Sequence, residues 1–141
     1  MLGRVACRWA GVAGVISFVA DYPPSTNRLW RRVGNLTLLS AEARIWKRTT
    51  ALRAKVAGCR LVVGPVEVRL VLHPRLTKAG LASRTRVDVD GGIKIALDSL
   101  QGIAYADDNQ VERVSCSIGV GVAGGGLTIA VGPLAEDRAP E

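Results

Sequence analysis

Acidic residues are nearly missing from the first 86 positions of the chain, where only Asp21, Glu42 and Glu67 face 16 lysines and arginines. A surface so short of carboxylates suggests a polyanion partner, with a solvated basic face that has no partner as the alternative on charge alone. Cysteine is also sparse. Cys7, Cys59 and Cys116 are odd in number and share no metal-ligand or redox spacing, which excludes a disulfide framework and a thiolate zinc site. They read as small buried apolar residues in a reducing compartment, the cytoplasm. The chain has one histidine, His73, which precedes Pro74 at the end of a strand pattern, where a structural role is expected. No apolar run reaches the roughly 20 residues that a membrane-spanning helix needs. The run at residues 9–20, behind Arg4 and Arg8, superficially resembles a secretory signal, but Phe18 and Ala20 make a poor small-x-small cleavage site. Residues 14–20 are therefore read as a first strand. Internal repeats and domain linkers are absent as well.

What is present is a chain of 141 residues with 48% hydrophobic and 22% charged residues, ordinary usage for one globular domain with its own core. The expected division is an extension at 1–14, a folded domain at 15–134 and a frayed tail at 135–141. Residues 21–28, with Pro23 and Pro24 followed by Ser25, Thr26, Asn27 and Arg28, read as a loop whose exit is made cationic by Arg28, Arg31 and Arg32. Ser40 is a good N-cap for a helix running to about Ala57 and stopped by Gly58. On that helix Ile45, Thr49, Leu52 and Val56 share one face at helical spacing, expected to be the apolar one, while Arg44, Lys47, Arg48 and Lys55 form a basic flank. Val66, Val68, Leu70 and Leu72 alternate with Glu67 and Arg69, the pattern of a half-buried strand. A basic loop at 73–86 follows, with Arg75, Lys78, Arg84 and Arg86. Residues 92–100 read as a short helix with Ile93, Ala96, Leu97 and Leu100 inward. Residues 110–120 and 127–131 read as a terminal hairpin joined through Gly124, Gly125 and Gly126. Strands mixed with two helices give an α+β class.

The glycines at 119, 121 and 124 match G-x-G-x-x-G, but that pattern binds dinucleotides only when a helix follows within a βαβ unit. Here a glycine-rich turn and another strand follow, so the match is set aside.

Residues 87–111 are different. They gather Asp88, Asp90, Asp98, Asp107 and Asp108 with one lysine, Lys94, in an otherwise apolar stretch. On an extended segment Asp88 and Asp90 would project from one face, where like charges repel unless a cation lies between them. Asp90-Gly91-Gly92 is equally a turn signal. Asp107 and Asp108 favour the metal, because a second carboxylate pair sits in a loop able to return to the start of the helix. Carboxylates from two loops suit a hard divalent ion that keeps its water, Mg²⁺ or Mn²⁺. Lys94 could stabilise charge on a phosphate or simply pair with Asp98 at i+4.

The ordered set Pro-Pro-Ser-x-Asn-Arg, Asp-x-Asp, Lys four residues on, Asp-x-Leu and Asp-Asp-x-Gln-Val, across residues 15–131, resembles the RusA family of Holliday-junction resolvases. The resemblance implies a small mixed sheet packed with helices and a metal-dependent endodeoxyribonuclease acting on four-way junctions as a homodimer, without a membrane. It assigns Asp88, Asp90 and Asp108 to the metal, Lys94 to catalysis with support from Asp107, and Ser25, Thr26, Asn27, Arg28, Arg84 and Arg86 to DNA. Where the family usually has Asn after Asp-x-Asp, this chain has Gly91. Two other readings stay open at this point: a nuclease of the same fold acting on flaps or forks, and a basic nucleic-acid-binding protein whose acids only cap loops.

Overall fold

A strand whose residues are buried on both sides must find hydrogen-bonding partners for both of its edges, and residues 66–73 are such a strand. In the computed structural model, residues 14–81 and 89–135 are described, and of residues 26, 27 and 89–91 the backbone alone. The elements run β1 (Ile16–Ala20), α1 (Thr26–Leu29), β2 (Trp30–Val33), β3 (Leu36–Leu39), α2 (Ala41–Val56), β4 (Val66–His73), α3 (Val89–Leu100), a 3-10 turn (Asp108–Gln110), β5 (Val111–Ile118) and β6 (Gly126–Pro133). β4 lies inside a four-stranded sheet of order β1-β6-β4-β5, antiparallel to β6 and parallel to β5. The small mixed sheet with helices is the expected α+β arrangement. No described helix is long and apolar enough to cross a membrane.

One face of the sheet carries Val66, Val68, Leu70 and Leu72 of β4 with Leu127, Ile129 and Val131 of β6, all buried. They join one core with Ala43, Trp46 and Ala54 of α2 and Ile95, Ala96 and Leu100 of α3. The N-cap of α2 is as expected: the Ala43 amide donates to Ser40 Oγ at 3.1 Å. The buried face is not. Ala43, Trp46, Thr50 and Ala54 point inward, while Ile45, Leu52 and Val56 are 63%, 62% and 83% exposed. Small residues let the helix approach closely, and the Trp46 indole N–H needs the Asp21 carbonyl, to which it donates at 2.9 Å. An ion pair of 2.9 Å between Arg53 and Asp21 fixes the same rotation.

The terminal hairpin is also corrected. β5 and β6 do not pair with each other; β4 lies between them, because its buried edges take one each. Their connection crosses the exit of β4 through Gly119 N–H to Leu72 O at 2.9 Å and Val122 N–H to Pro74 O at 2.9 Å. A Cβ on Gly119 would sit 2.6 Å from Val71 Cγ1, so this glycine permits a close crossing and the glycine pattern there is accounted for by packing. Residues 21–28 are not all loop, since α1 begins inside them. The β2–β3 hairpin behind α1 carried no clear alternation of apolar and polar residues and was not expected.

Polar groups on the opposite sheet face are satisfied locally. Glu67 was expected on the solvent side of a half-buried strand, yet it is 2% exposed and paired with Arg69 at 2.9 Å and Arg113 at 3.9 Å. His73 is fully buried and structural: Nδ1 lies 2.9 Å from Val120 O and Nε2 lies 2.8 Å from Thr128 Oγ1.

Candidate active site

Helix α3 is amphipathic, and its polar side is where the candidate chemistry lies. Ile95, Ala96, Ser99 and Leu100 are buried, so Lys94 and Asp98, one turn apart, fall on the outer side. Ile93 and Leu97, expected inward, are half-buried: they pack against the core and also line the groove. An open groove runs between this side of α3 and the start of β5. It is lined by Ile93, Lys94, Leu97 and Asp98 from the helix, Asp108 from the 3-10 turn, and Val111 and Val114 from the strand.

α3 starts at Val89, so Asp90 is helical and lies one turn before Lys94. The extended segment expected to align Asp88 with Asp90 does not include Asp90. Asp88, Arg84 and Arg86 lie outside the described residues, and only the backbone of Asp90 is described. Gly92 is fitted closely to the preceding loop, since a Cβ there would meet Pro23 Cγ at 3.3 Å. The contact brings the residues Pro23 to Arg28 beside the start of α3, and α1 touches α3. Ser25 and Arg28 are exposed there, with Thr26 and Asn27 described by backbone only. Arg75 adds a cation to this side, its guanidinium 4.3 Å from the centroid of the Tyr22 ring.

Asp107 and Asp108 are adjacent in sequence but differ in surroundings. Asp107 is an N-cap: its Oδ1 accepts from the Asn109 amide at 2.9 Å, within a capping box completed by Gln110. The hydrogen bond from the Asn109 amide holds its carboxyl below the usual carboxylate range. Asp108, next in the turn, lines the groove. Tyr105 lies beneath them with its ring buried and its hydroxyl donating to Leu97 O at 2.5 Å. Burial pushes the phenol pKa upward, and the negative charges of Asp98 and Asp108 push it further.

Lys94 Nζ is 3.9 Å from Asp98 Oδ2, with side chains 62% and 34% exposed. At that separation the pair is a weak surface contact, and the ammonium remains available to another anion. Among the described residues no three metal-type side chains converge. The donor chemistry still fits a hard divalent ion. The groove offers carboxylate oxygen, while His73 is occupied elsewhere and burial keeps Cys59 and Cys116 protonated.

Lys94 and Asp108, both singled out from the sequence, line one groove. Sequence reasoning gave Asp98 no role beyond the pair with Lys94 and the Asp-x-Leu motif, and it gave Gln110 no role beyond the Asp-Asp-x-Gln-Val motif, although Asp-x-x-Gln at 107–110 is also a capping pattern.

Carboxylates and an ammonium at the rim of a groove, with Arg28 exposed beside the same helix, sit on a small α+β domain. The comparison with known families narrows this class. The family described as Endodeoxyribonuclease RusA matches residues 21–131, and the chain belongs to that family of DNA-cleaving enzymes. It is similar to the crossover junction endodeoxyribonuclease rusA of Enterobacteria phage HK97, with 29% identity over 121 residues that cover 83% of this chain and 93% of the phage protein.

Proposed function

We propose that this protein is a metal-dependent endodeoxyribonuclease that resolves four-way DNA junctions by paired phosphodiester hydrolysis as a homodimer. The observation that carries the reading is the meeting of Lys94 and Asp108 in one groove, with Asp90 one turn before the lysine and the Pro23-to-Arg28 loop against the same helix. The phage relative named for crossover junctions supports the choice of substrate.

Asp88, Asp90 and Asp108 would hold Mg²⁺, or Mn²⁺ in its place, with Asp107 supporting Asp108 as its cap. When bound, the ion supplies charge neutralisation at the scissile phosphate and a more acidic water. Lys94 acts on the same phosphate, where its ammonium meets the negative charge that grows as the bond to the leaving oxygen breaks. Its weak tie to Asp98 lets it move without losing a strong partner. Ser25, Thr26, Asn27, Arg28, Arg84 and Arg86 position the DNA backbone and carry no chemistry. Two symmetric cuts across a junction require two sites related by a two-fold axis, which a homodimer provides.

Separate Asp88→Asn, Asp90→Asn and Asp108→Asn variants test the assignment. Each is expected to lose Mg²⁺-dependent cleavage while circular dichroism shows a folded chain and junction binding is kept or tightened, because removing a carboxylate also removes repulsion toward phosphate. Wild-type cutting by any of the three removes that residue from the site.

A further inference from the structure

The side chain of Gln110 is saturated. Its Nε2 donates to Val62 O at 2.7 Å and to Gly64 O at 2.9 Å, and its Oε1 accepts from Ala106 N–H at 2.9 Å and Asp107 N–H at 3.1 Å. A carboxamide has two donor hydrogens and two acceptor lone pairs, and all four are used. Two of the bonds stay inside the acidic turn. The other two cross to the connection between α2 and β4, 46 and 48 positions away in sequence. In that connection Cys59 and Val62 pack against the core, while Leu61 is 56% and Val63 98% exposed. Its other described tie to this region is the bond from Val62 N–H to Ala104 O at 2.9 Å.

The turn that aims Asp108 is therefore held from outside the groove. Asp107 caps the turn, but a cap fixes only the local backbone; the carbonyls of Val62 and Gly64 fix the turn relative to the sheet. Gln110 does not line the groove. We infer that Gln110 is a positioning residue: it locks the 3-10 turn against the α2–β4 connection, and so sets the place of the Asp108 carboxylate for a divalent ion. The inference rests on the proposed metal role of Asp108. Partners that orient a ligating carboxylate typically change metal affinity by about 10- to 100-fold when removed.

The test compares Gln110→Ala, Gln110→Glu and Asp108→Asn with wild type in the full chain. Mn²⁺ binding is followed by the free-ion electron paramagnetic resonance signal, together with thermal melting and the Mg²⁺ dependence of junction cutting. Gln110→Glu keeps an acceptor for the Ala106 and Asp107 amides but loses both donors and turns an anionic oxygen toward the Val62 and Gly64 carbonyls, so it breaks the long-range bonds while leaving the local ones should the alanine variant not fold. Both glutamine variants are expected to bind Mn²⁺ roughly 10- to 100-fold more weakly. They should need correspondingly more Mg²⁺ for half-maximal cutting, with the maximal rate approached at high Mg²⁺. A lowered melting temperature with wild-type Mn²⁺ affinity overturns the inference and leaves Gln110 a purely structural residue. If Asp108→Asn is inactive while the glutamine variants bind Mn²⁺ normally, the positioning role alone falls. If Asp108→Asn binds Mn²⁺ and cuts like wild type, the metal reading falls and the inference with it.

Discussion

Lys94 makes the sharpest residue-scale distinction, because its described partner, Asp98, is 3.9 Å away and holds it weakly. A lysine kept there for stability would contribute about 0.3–0.5 kcal/mol as an i,i+4 pair. A lysine that meets the transition state contributes far more to rate than to binding. Lys94→Ala is therefore expected to slow single-turnover cutting by orders of magnitude with little change in junction affinity. A loss confined to affinity would make it an ordinary phosphate contact. Much of the site was legible at this scale, because Lys94 and Asp108 belong to an ordered motif set whose spacing survives folding. Gln110 was visible as part of a motif and of a capping pattern, but its long-range bonds were not, since those partners are backbone carbonyls, which leave no mark on side-chain identity. Asp90 lies in α3, which begins before it and not after the glycines, while Asp88 lies outside the described residues.

At the scale of elements, α2 shows how periodicity can locate a helix and still misjudge its buried side. Two sets of positions fit the helical repeat, Ala43, Trp46, Thr50 and Ala54 on one hand, Ile45, Thr49, Leu52 and Val56 on the other. The larger aliphatic set is the more hydrophobic, yet the set of small residues is buried because close approach of α2 to its neighbours and the Trp46 hydrogen bond to Asp21 outweigh side-chain size. Leu52→Ser is expected to shift unfolding free energy by no more than about 0.5 kcal/mol. Trp46→Ala should cost about 3–5 kcal/mol, read from denaturant melts. Comparable losses for both would reinstate the aliphatic face. The β5 and β6 pairing was similarly ambiguous. Each strand reads correctly alone, but the partners of β4 depend on burial of its edges, a property of the assembled sheet.

Over the whole molecule, bases gather before residue 87 and the groove with its acids comes after it, the division expected if the first half positions DNA and the second carries the chemistry. Exposed Arg28 beside α3 fits that division, and Arg84 and Arg86 precede the same helix in sequence. Their joint replacement by alanine is expected to weaken junction binding and flatten its salt dependence, by roughly 0.9 in logarithmic slope per lost phosphate contact. An unchanged slope in a folded triple variant would move the DNA surface to the basic flank of α2 at Arg44, Lys47, Arg48 and Lys55. The central claim, that this chain cuts junctions in pairs with a divalent ion, is tested most directly with a labelled four-way junction and a linear duplex of matching sequence, each incubated with the purified protein with and without Mg²⁺. The account predicts symmetric cuts in opposing strands of the junction, only with Mg²⁺, and an intact duplex; tight binding to both substrates without any Mg²⁺-dependent cleavage would contradict it.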